Sequence, residues 1–283
     1  MKFDNQVVLV TGGNRGLGKA FSNYLAQYGA TVIVHSSGRD DSGERMVFDL
    51  RNKGLHATHL AMELGDGGAL ISAAKELHSR IDAMVHNAGF VRDRTIAKMS
   101  DEDWTAVQHI HLGVAFQLAR AAWSDFKEAS YGRLVFISSA SGLYGNYGQA
   151  NYGAAKLGMV GLCKTLAVEG AKYNIGVNCV APIGATEMNS AYLSDEMIAK
   201  FRPELVAPLV AYLCHPACSD SGGFFEAGGG TFKRVRWERS QGLKLDLDTA
   251  NISMDDIAAG WSSINEFNES EHPATMDEAS QGL

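Results

Sequence analysis

Cysteine is scarce in this sequence: the 283 residues include only Cys163, Cys179, Cys214 and Cys218. So few thiols do not form the disulfide framework that holds small secreted scaffolds together, and we expect all of them to be free. Two of them frame the run CHPAC, which resembles a set of metal ligands, but nothing downstream completes a site. We therefore predict no metal and interpret the run as a helix end broken by Pro216.

Positive charge is also in short supply. Lys and Arg total 25 against 32 Asp and Glu, which gives a formal net charge of −7 at pH 7. Proteins that bind nucleic acid usually present a basic face to its phosphates, so this balance argues against nucleic acid as the main partner. The 46% hydrophobic and 20% charged residues are typical of a soluble enzyme with a sizeable core.

Long apolar runs are absent. No stretch approaches the roughly 20 residues that a membrane-spanning helix needs. The start, MKFDNQ, has no basic segment followed by an apolar one, and the end, QGL, differs from the SKL-type peroxisomal address. These features predict a cytoplasmic location and no membrane partner.

Short apolar runs do alternate with amphipathic stretches over most of the chain. Such alternation predicts an α/β fold with a parallel sheet covered by helices on both faces. We expect one catalytic domain over residues 1–231 and a C-terminal extension over residues 232–283. The predicted strands are residues 7–10, 31–34, 57–61, 83–86, 133–138, 176–181 and 223–226.

A glycine-rich turn follows the first predicted strand. Gly12, Gly16 and Gly18 stand between QVVLVT and a stretch with helical apolar spacing. Glycines at a strand-to-helix turn let the backbone approach a pyrophosphate held at the helix N-terminus. The spacing is GxxxGxG rather than GxGxxG, and a glycine turn alone is weak evidence for a nucleotide site.

Tyr152 and Lys156 stand four positions apart in the run NYGAAK, with Ser139 upstream. On a helix the two side chains share one face, so the ammonium can lower the pKa of the phenol. Such a phenol can exchange a proton with an alcohol or carbonyl near neutral pH, and Ser139 can polarise the same oxygen. A packed tyrosine and a surface lysine give the same spacing, so this motif gains its meaning from the glycine turn.

The ordered motifs TGGNRGLG, HNAG, ISSAS and YGAAK resemble those of the short-chain dehydrogenase/reductase family, which are TGxxxGxG, NNAG, a serine and YxxxK. The resemblance covers at least residues 4–230, and the serine-to-tyrosine interval selects Ser139 over Ser138 and Ser141. It implies a Rossmann-type doubly wound parallel sheet with helices on both faces, a bound NAD(P)(H) and a dehydrogenase activity.

Four runs, several of which lie outside these motifs, are similar to the (3R)-hydroxyacyl-CoA dehydrogenase modules of peroxisomal multifunctional β-oxidation enzymes. They are RDRTIAKMSDEDW, FQLARAAW, SASGLYGNYGQANYGAAKLG and RVRWER. This similarity implies interconversion of 3-oxoacyl and (3R)-3-hydroxyacyl thioesters, with CoA esters favoured over acyl carrier thioesters. Two alternatives stay open: a dehydrogenase of steroids or other bulky secondary alcohols, and a catalytically silent dinucleotide-binding subunit.

The same resemblance assigns the catalytic roles. Tyr152 is expected to be the general acid in reduction and the base in oxidation, Ser139 to hydrogen-bond the reacting oxygen, and Lys156 to hold the nicotinamide ribose. His111 stands where the family has an asparagine whose backbone carbonyl holds a water on the proton path. Its imidazole is either a proton carrier near pH 7 or a structural side chain.

The end of the second strand bears on the choice of cofactor. An acidic residue there favours NAD(H), but this chain has Ser36, followed by Arg39. With Arg15 in the glycine turn, these features favour NADP(H) over NAD(H), unless both arginines are ordinary surface charges. Glu63 is expected to reach the adenine amino group. The other cofactor residues implied by the resemblance are Asn14, Leu17, Leu64, Asn87, Ala88, Gly89, Pro182, Gly184 and Thr186.

Substrate residues are harder to predict. Residues 184–201, with Met188, should form a lid, while Ser141, Tyr144, Tyr147 and Gln149 are expected to line the substrate pocket. For each of these residues, buried packing is an alternative to a role in substrate binding.

The C-terminal extension contains a basic cluster and a predicted helix. The cluster, available to CoA phosphates or an acyl carrier protein, is Lys233, Arg234, Arg236 and Arg239. Residues 253–268 have apolar side chains at helical spacing after a capping box that begins at Ser253. The resemblance implies that the extension packs at the interface of a homodimer or homotetramer.

Overall fold

The computed structural model describes residues 1–185, 194–246 and 252–281. The chain divides into two compact units, Met1–Arg234 and Val235–Leu283, referred to below as the N-terminal and C-terminal units. In the described part of the chain, the search for a helix of sufficient length and hydropathy to cross a bilayer finds none.

The N-terminal unit is built on a sheet of eight strands in the order β3-β2-β1-β4-β5-β6-β7-β8. All seven predicted strands are confirmed, and an eighth follows the left-handed pair Gly229 and Gly230, with φ of 58° and 75°. Pairings from β3 through β7 are parallel. The strands are β1 Val7–Thr11, β2 Thr31–Ser36, β3 Ala57–Ala61, β4 Ala83–His86, β5 Gly132–Ile137, β6 Ile175–Pro182, β7 Phe224–Gly228 and β8 Thr231–Val235.

The strand order reverses between β1 and β4, and ligands of open α/β sheets bind outside the carboxyl ends of the strands at such a point. The parallel register places Thr11 at the end of β1 opposite His86 at the end of β4. All five residues of β1 are buried, as a central strand covered on both faces requires.

Helices cover both faces of this sheet. Val8 and Val10 of β1 share one buried cluster with Phe21, Leu50 and Val210, which belong to α1, α2 and α9. Helix α3 packs against α5, α5 contacts α7, and α7 packs against β6. The helices of this unit are α1 Gly16–Gln27, α2 Ser42–Asn52, α3 Gly67–His78, α4 Asp101–Gln108, α5 Val114–Ala129, α6 Ala140–Tyr144, α7 Ala150–Gly170, α8 Asp195–Lys200 and α9 Ala207–Cys214.

A π-helical turn, His109–Gly113, separates α4 from α5. The sequence predicts a capped start to a long helix at Ser100, and the hydroxyl of Ser100 accepts a hydrogen bond from the Asp103 amide at 3.1 Å. Helical backbone continues from Asp101 through the π-helical turn to Ala129, so the long helix is confirmed; the π-helical turn inside it was not predicted. Single π-helical turns are rare and often mark functional sites, and this one carries His111.

The C-terminal unit contains a short antiparallel pair, β9 Arg239–Ser240 and β10 Ser270–Glu271, and three helices, α10 Met254–Ala259, α11 Trp261–Ile264 and α12 Met276–Gln281. The capping box of Ser253 and Asp256 is confirmed. The single helix predicted over residues 253–268 is wrong, since it ends at Gly260. A side chain at Gly260 would overlap Leu243, so this glycine permits a close packing contact.

Candidate active site

A cavity of about 670 Å³ opens at the carboxyl ends of β1 and β4. Helix α1 begins at this edge with its amide groups directed towards the end of β1, which is the arrangement that binds anionic phosphates. Eighteen of the predicted site residues line the cavity: Gly12, Asn14, Arg15, Gly16, Leu17, Ser36, Arg39, Glu63, Leu64, Asn87, Ala88, Gly89, His111, Ser139, Tyr152, Lys156, Pro182 and Gly184.

The glycine turn has no room for larger side chains. Gly12 has a φ of +59°, in the left-handed region, and a side chain on Gly18 would overlap the carbonyl oxygen of Gly12. Gly18 therefore lies beneath the turn and does not line the cavity. A bare backbone at a helix N-terminus fits the pyrophosphate of a dinucleotide, so the residues present fit NAD(P)(H).

His35 supports this turn from the end of β2, a role that the sequence did not reveal. Its Nε2 lies 2.8 Å from the carbonyl of Met62, which can only accept, so the ring proton is on Nε2. Nδ1 is then free to accept the hydrogen bond from the Gly12 amide at 3.2 Å. Burial lowers the pKa of His35, and the ring stays neutral as this arrangement requires.

The HNAG segment is joined to the glycine turn by hydrogen bonds. Asn87 Nδ2 donates to the carbonyls of Thr11 at 3.1 Å and Gly12 at 3.2 Å. The hydroxyl of Thr11 accepts from the amides of Asn87 and Ala88, each at 3.0 Å. The ends of β1 and β4 therefore form one rigid floor to the cavity.

Tyr152 and Lys156 lie on α7 and face the same cavity, as their spacing predicts. Lys156 is buried, its Nζ donates to the Ile137 carbonyl at 2.6 Å, and that nitrogen lies 5.3 Å from the centre of the Tyr152 ring. Burial lowers the pKa of Lys156 to about 7.

The expectation of a lowered phenol pKa is corrected by the structure. Burial raises the pKa of Tyr152, a hydrogen bond from the Ser139 side chain lowers it, and the negative charge of Asp93 raises it. Burial is the largest of these effects, so the phenol holds its proton at neutral pH. This state suits a proton donor.

Two adjacent serines, Ser138 and Ser139, have different hydrogen-bond partners. Ser139 lines the cavity and its hydroxyl accepts from the Ser141 amide at 3.1 Å, which caps α6. The buried Ser138 donates to the backbone carbonyl of Lys156 at 2.7 Å and so ties β5 to α7. The geometry is consistent with the choice of Ser139, whose catalytic role stays a prediction.

His111 packs against the reacting end of the cavity. Its ring meets the Tyr152 ring edge-on, with centroids 5.1 Å apart and planes at 80°. Burial and the charge of Lys156 hold the pKa of His111 well below its usual value, so the imidazole stays neutral near pH 7 and keeps a single ring proton. Its carbonyl accepts from His86 Nε2 and from the Val114 amide, which it shares with the His109 carbonyl; the water-holding role implied by the resemblance stays a prediction.

Both arginines that line the cavity are paired with carboxylates, and one of these, Asp40, was not singled out in the sequence. Arg15 forms an ion pair with Asp40. Arg39 forms one with Glu63 at 2.7 Å, so Glu63 is engaged with a guanidinium here. Both pairs are largely exposed, and such pairs contribute little to stability, about 0–1 kcal/mol.

The predicted substrate residues do not gather in this cavity. Ser141, Tyr144, Tyr147 and Gln149 do not line it; Tyr144 and Tyr147 are 70% and 88% exposed, and Gln149 donates to Asp93 at 3.0 Å. Their role stays a prediction. Thr186 and Met188 lie outside the described residues.

Several lining residues were missed by the sequence analysis because they are strand ends or apolar side chains without a motif. They are His35, Ser37, Phe90, Val91, Ile110, Ile137 and Ser138. An apolar wall beside the polar groups is usual for a small-molecule site. Within the described ranges, no group of three or more His, Cys, Asp or Glu side chains is arranged to hold a metal.

The chain is similar to dehydrogenases of known sequence. The family model described as short chain dehydrogenase matches residues 6–197. The chain is 41% identical to peroxisomal multifunctional enzyme type 2 of Mus musculus, with 100% of this chain and 40% of that protein aligned. It is 34% identical to a 3-oxoacyl-[acyl-carrier-protein] reductase of Aquifex aeolicus, with 82% of this chain and 99% of that protein aligned.

A solved structure has the same architecture. The full-length peroxisomal multifunctional enzyme type 2 of Drosophila melanogaster matches with a TM-score of 0.87 and 33% identity, over 99% of this chain and 49% of that one. The chain thus spans about half the length of this Drosophila melanogaster enzyme and 40% of the length of the Mus musculus one.

Proposed function

The chain belongs to the short-chain dehydrogenase family, and from this premise we propose that it interconverts 3-oxoacyl and (3R)-3-hydroxyacyl thioesters with a nicotinamide dinucleotide. CoA esters are the proposed substrates. The observation that carries the proposal is that Ser139, Tyr152 and Lys156 line one cavity with the glycine turn.

The proposed chemistry divides between the dinucleotide and the protein. The bound dinucleotide supplies the hydride in reduction and accepts it in oxidation. Tyr152 gives its phenolic proton to the carbonyl oxygen of the substrate in reduction and takes it back in oxidation, while Ser139 hydrogen-bonds the same oxygen. Because burial raises the pKa of Tyr152, the phenol is protonated at neutral pH and can donate this proton to the substrate oxygen.

Support for thioester substrates comes from relatives of two kinds. One relative named as a 3-oxoacyl-[acyl-carrier-protein] reductase aligns along 99% of its length. The multifunctional peroxisomal relatives align over 40% and 49% of their own lengths. In the basic cluster, Arg234 is paired with Asp220 at 2.9 Å and Arg239 with Glu271; both pairs are partly exposed, and phosphate binding by this cluster stays a prediction.

NADP(H) is the proposed preferred cofactor. Arg15 and Arg39 line the cavity together with Ser36, and no acidic residue stands at the position of Ser36 itself. Their ion pairs are exposed and weak, so both guanidinium groups can turn to a 2′-phosphate, which carries more charge than one carboxylate.

A substrate panel tests the proposed reaction. The purified protein is incubated with NADPH or NADH and one of four carbonyl compounds: acetoacetyl-CoA, a longer 3-oxoacyl-CoA, a 3-oxoacyl carrier protein or a 3-ketosteroid. We expect the absorbance of the reduced cofactor to fall with the CoA esters and to stay constant with the Tyr152→Phe variant. Turnover of the steroid without turnover of any thioester would refute the proposal.

Assembly as a homodimer or homotetramer is proposed as well. Helix α7 and the neighbouring α4 and α5 leave large apolar side chains in solvent, with Val168 at 76%, Phe116 at 46% and Trp104 at 41% exposure. A second copy would cover such a surface. Light scattering tests the mass, and comparison with a chain ending at residue 231 tests whether the extension contributes to assembly.

The location is proposed to be cytoplasmic, although the multifunctional relatives are named as peroxisomal. Subcellular fractionation of the native protein distinguishes the two compartments.

A further inference from the structure

His86 is the last residue of β4 and lies outside the set of residues that line the cavity. It is 2% exposed and lies opposite Thr11 across the central strand pair. It is also the position at which the HNAG run differs from the family's NNAG. A buried histidine beside the catalytic cavity needs a partner for each ring nitrogen, and both partners are found.

The partners fix the position of every proton. The Thr11 hydroxyl already accepts from two backbone amides, so its own hydrogen is directed to His86 Nδ1 at 3.1 Å. His86 Nε2 lies 3.1 Å from the carbonyl of His111, which can only accept, so the ring proton is on Nε2. The two contacts require the same neutral tautomer. Burial and the charge of Lys156 agree with it, since they lower the pKa of His86 to about 3.

The carbonyl that His86 holds belongs to the π-helical turn. This oxygen also accepts from the Val114 amide, whose hydrogen is shared with the His109 carbonyl, so His86 is a donor that this oxygen does not share with another carbonyl of the turn. Extra residues in a helix leave backbone groups without their usual partners, and His86 satisfies one of them. The hydrogen bond from His86 therefore fixes the position of the π-helical turn relative to the end of β4.

The side chain of His111 transmits this constraint to the phenol. Its Nε2 donates to the Phe90 carbonyl at 2.8 Å, and its ring lies so close to Gly89 that a side chain at that position would overlap it. The opposite contact is the edge of the Tyr152 ring, 5.1 Å away between centroids. A shift of the His111 backbone must therefore move a ring that packs against Tyr152.

We propose that His86 is a positioning residue for proton transfer by Tyr152, because it links the Thr11 hydroxyl at the cofactor turn to the His111 carbonyl and so fixes the ring that packs on the phenol. The role rests on the proposed dehydrogenase function. His86 touches neither substrate nor cofactor, and its contribution is to the orientation of the phenol.

Two amide variants separate the ends of this link. The asparagine amide occupies the place of Nδ1, so His86→Asn keeps the contact with Thr11 but is too short for the His111 carbonyl. The glutamine amide occupies the place of Nε2, so His86→Gln keeps a donor to that carbonyl. For His86→Asn we expect the single-turnover rate to fall roughly 10- to 100-fold, the usual effect of a small misplacement. His86→Gln should stay within about threefold of the wild-type rate, and both variants should bind the dinucleotide within about twofold of wild type.

Three measurements decide the matter: the single-turnover rate, the dinucleotide dissociation constant from fluorescence, and the melting temperature. A wild-type rate in His86→Asn would overturn the proposal. Equal losses of rate, cofactor affinity and melting temperature in both variants would overturn it too, because they describe a merely structural residue.

Ring-nitrogen NMR on the wild-type protein gives an answer that does not depend on the substrate. At pH 7 we expect both His86 and His111 in the tautomer with the proton on Nε2, and we expect the His111 signals to move in His86→Asn but not in His86→Gln. A His86 with its proton on Nδ1 would refute the link whatever the enzyme turns over. Correct tautomers without turnover of any thioester would instead count against the proposed function alone.

Discussion

The hydroxyl of Ser138 donates a hydrogen bond to the backbone carbonyl of Lys156 at 2.7 Å, and this contact ties the end of β5 to the middle of α7. The next residue, Ser139, lines the same cavity, but its side chain hydrogen-bonds Tyr152 and not the backbone of α7. One peptide unit thus joins a structural serine to a candidate catalytic one.

Alanine variants of the two serines should differ in activity more than in stability. Ser139→Ala removes the hydrogen bond to the reacting oxygen, so kcat/KM should fall by about 100- to 1,000-fold. It also removes the cap of α6, which should lower the free energy of unfolding by about 0.5–2 kcal/mol. Ser138→Ala is the matched control: it should lose about 1 kcal/mol of stability and keep more of its activity. Steady-state kinetics and urea unfolding measure the two quantities, and a reversed pattern would exchange the proposed roles.

The phenol of Tyr152 is the proposed proton donor. Tyr152→Phe keeps the ring that packs against His111 but removes the hydroxyl, so stability and dinucleotide affinity should be preserved. The loss of an acid/base group should lower turnover by about 100- to 10,000-fold. Stopped-flow absorbance of the reduced cofactor gives the rate. Turnover at the wild-type level would remove Tyr152 from the mechanism.

Much of the fold follows from sequence patterns because it depends on local periodicity. The strands of the sheet are continuous apolar runs and the cap at Ser100 is a local signal, so both were predictable. The glycine turn and the tyrosine motif identified the cavity for a similar reason: their chemistry is encoded in short spacings.

The remaining features depend on contacts between distant residues. His35 reaches the glycine turn, and Asp40 pairs with Arg15, only because the sheet and its loops bring them there. The pKa of Tyr152 is raised, whereas the spacing to Lys156 alone suggests the opposite, because burial outweighs the neighbouring groups. Burial is a property of the whole fold and cannot be read from four residues.

Cofactor preference should respond to the charges around Ser36. Arg39→Leu removes a guanidinium from the proposed 2′-phosphate site and should weaken NADPH binding about tenfold while NADH binding changes little. Glu63→Gln is the matched variant, because it frees Arg39 from its carboxylate and should strengthen NADPH binding. Fluorescence titration gives the dissociation constants. Equal effects on both cofactors, or a clear NADH preference in the wild type, would contradict the proposed NADP(H) preference.

The glycine turn should tolerate no added carbon at Gly18. A methyl group there would overlap the Gly12 carbonyl, which is backbone and cannot rotate away. We expect Gly18→Ala to lose about 1–3 kcal/mol of stability and to bind the dinucleotide poorly. Gly65→Ala is the control, since nothing lies within 4 Å of its added carbon. Calorimetric unfolding compares them, and equal stability of the two variants would show that the turn relaxes.

His86 also makes stability depend on pH in a predictable direction. The unfolded chain binds a proton at this histidine near pH 6.5, whereas burial and Lys156 lower its pKa in the folded protein to about 3. Stabilisation from the neutral ring is therefore complete above pH 6.5 and is lost as the pH falls towards 3, because the unfolded state binds more protons in that window. The slope approaches about 1.4 kcal/mol per pH unit for this one group.

His86→Gln cannot take up this proton, so its free energy of unfolding should fall less steeply than that of the wild type between pH 6.5 and 5. Urea unfolding at a series of pH values measures both curves, with pH 8 as the baseline at which the variants differ only by lost contacts. Parallel curves over this range would mean that His86 is protonated as readily in the folded protein as in the unfolded chain, which is incompatible with a buried neutral ring between Thr11 and His111.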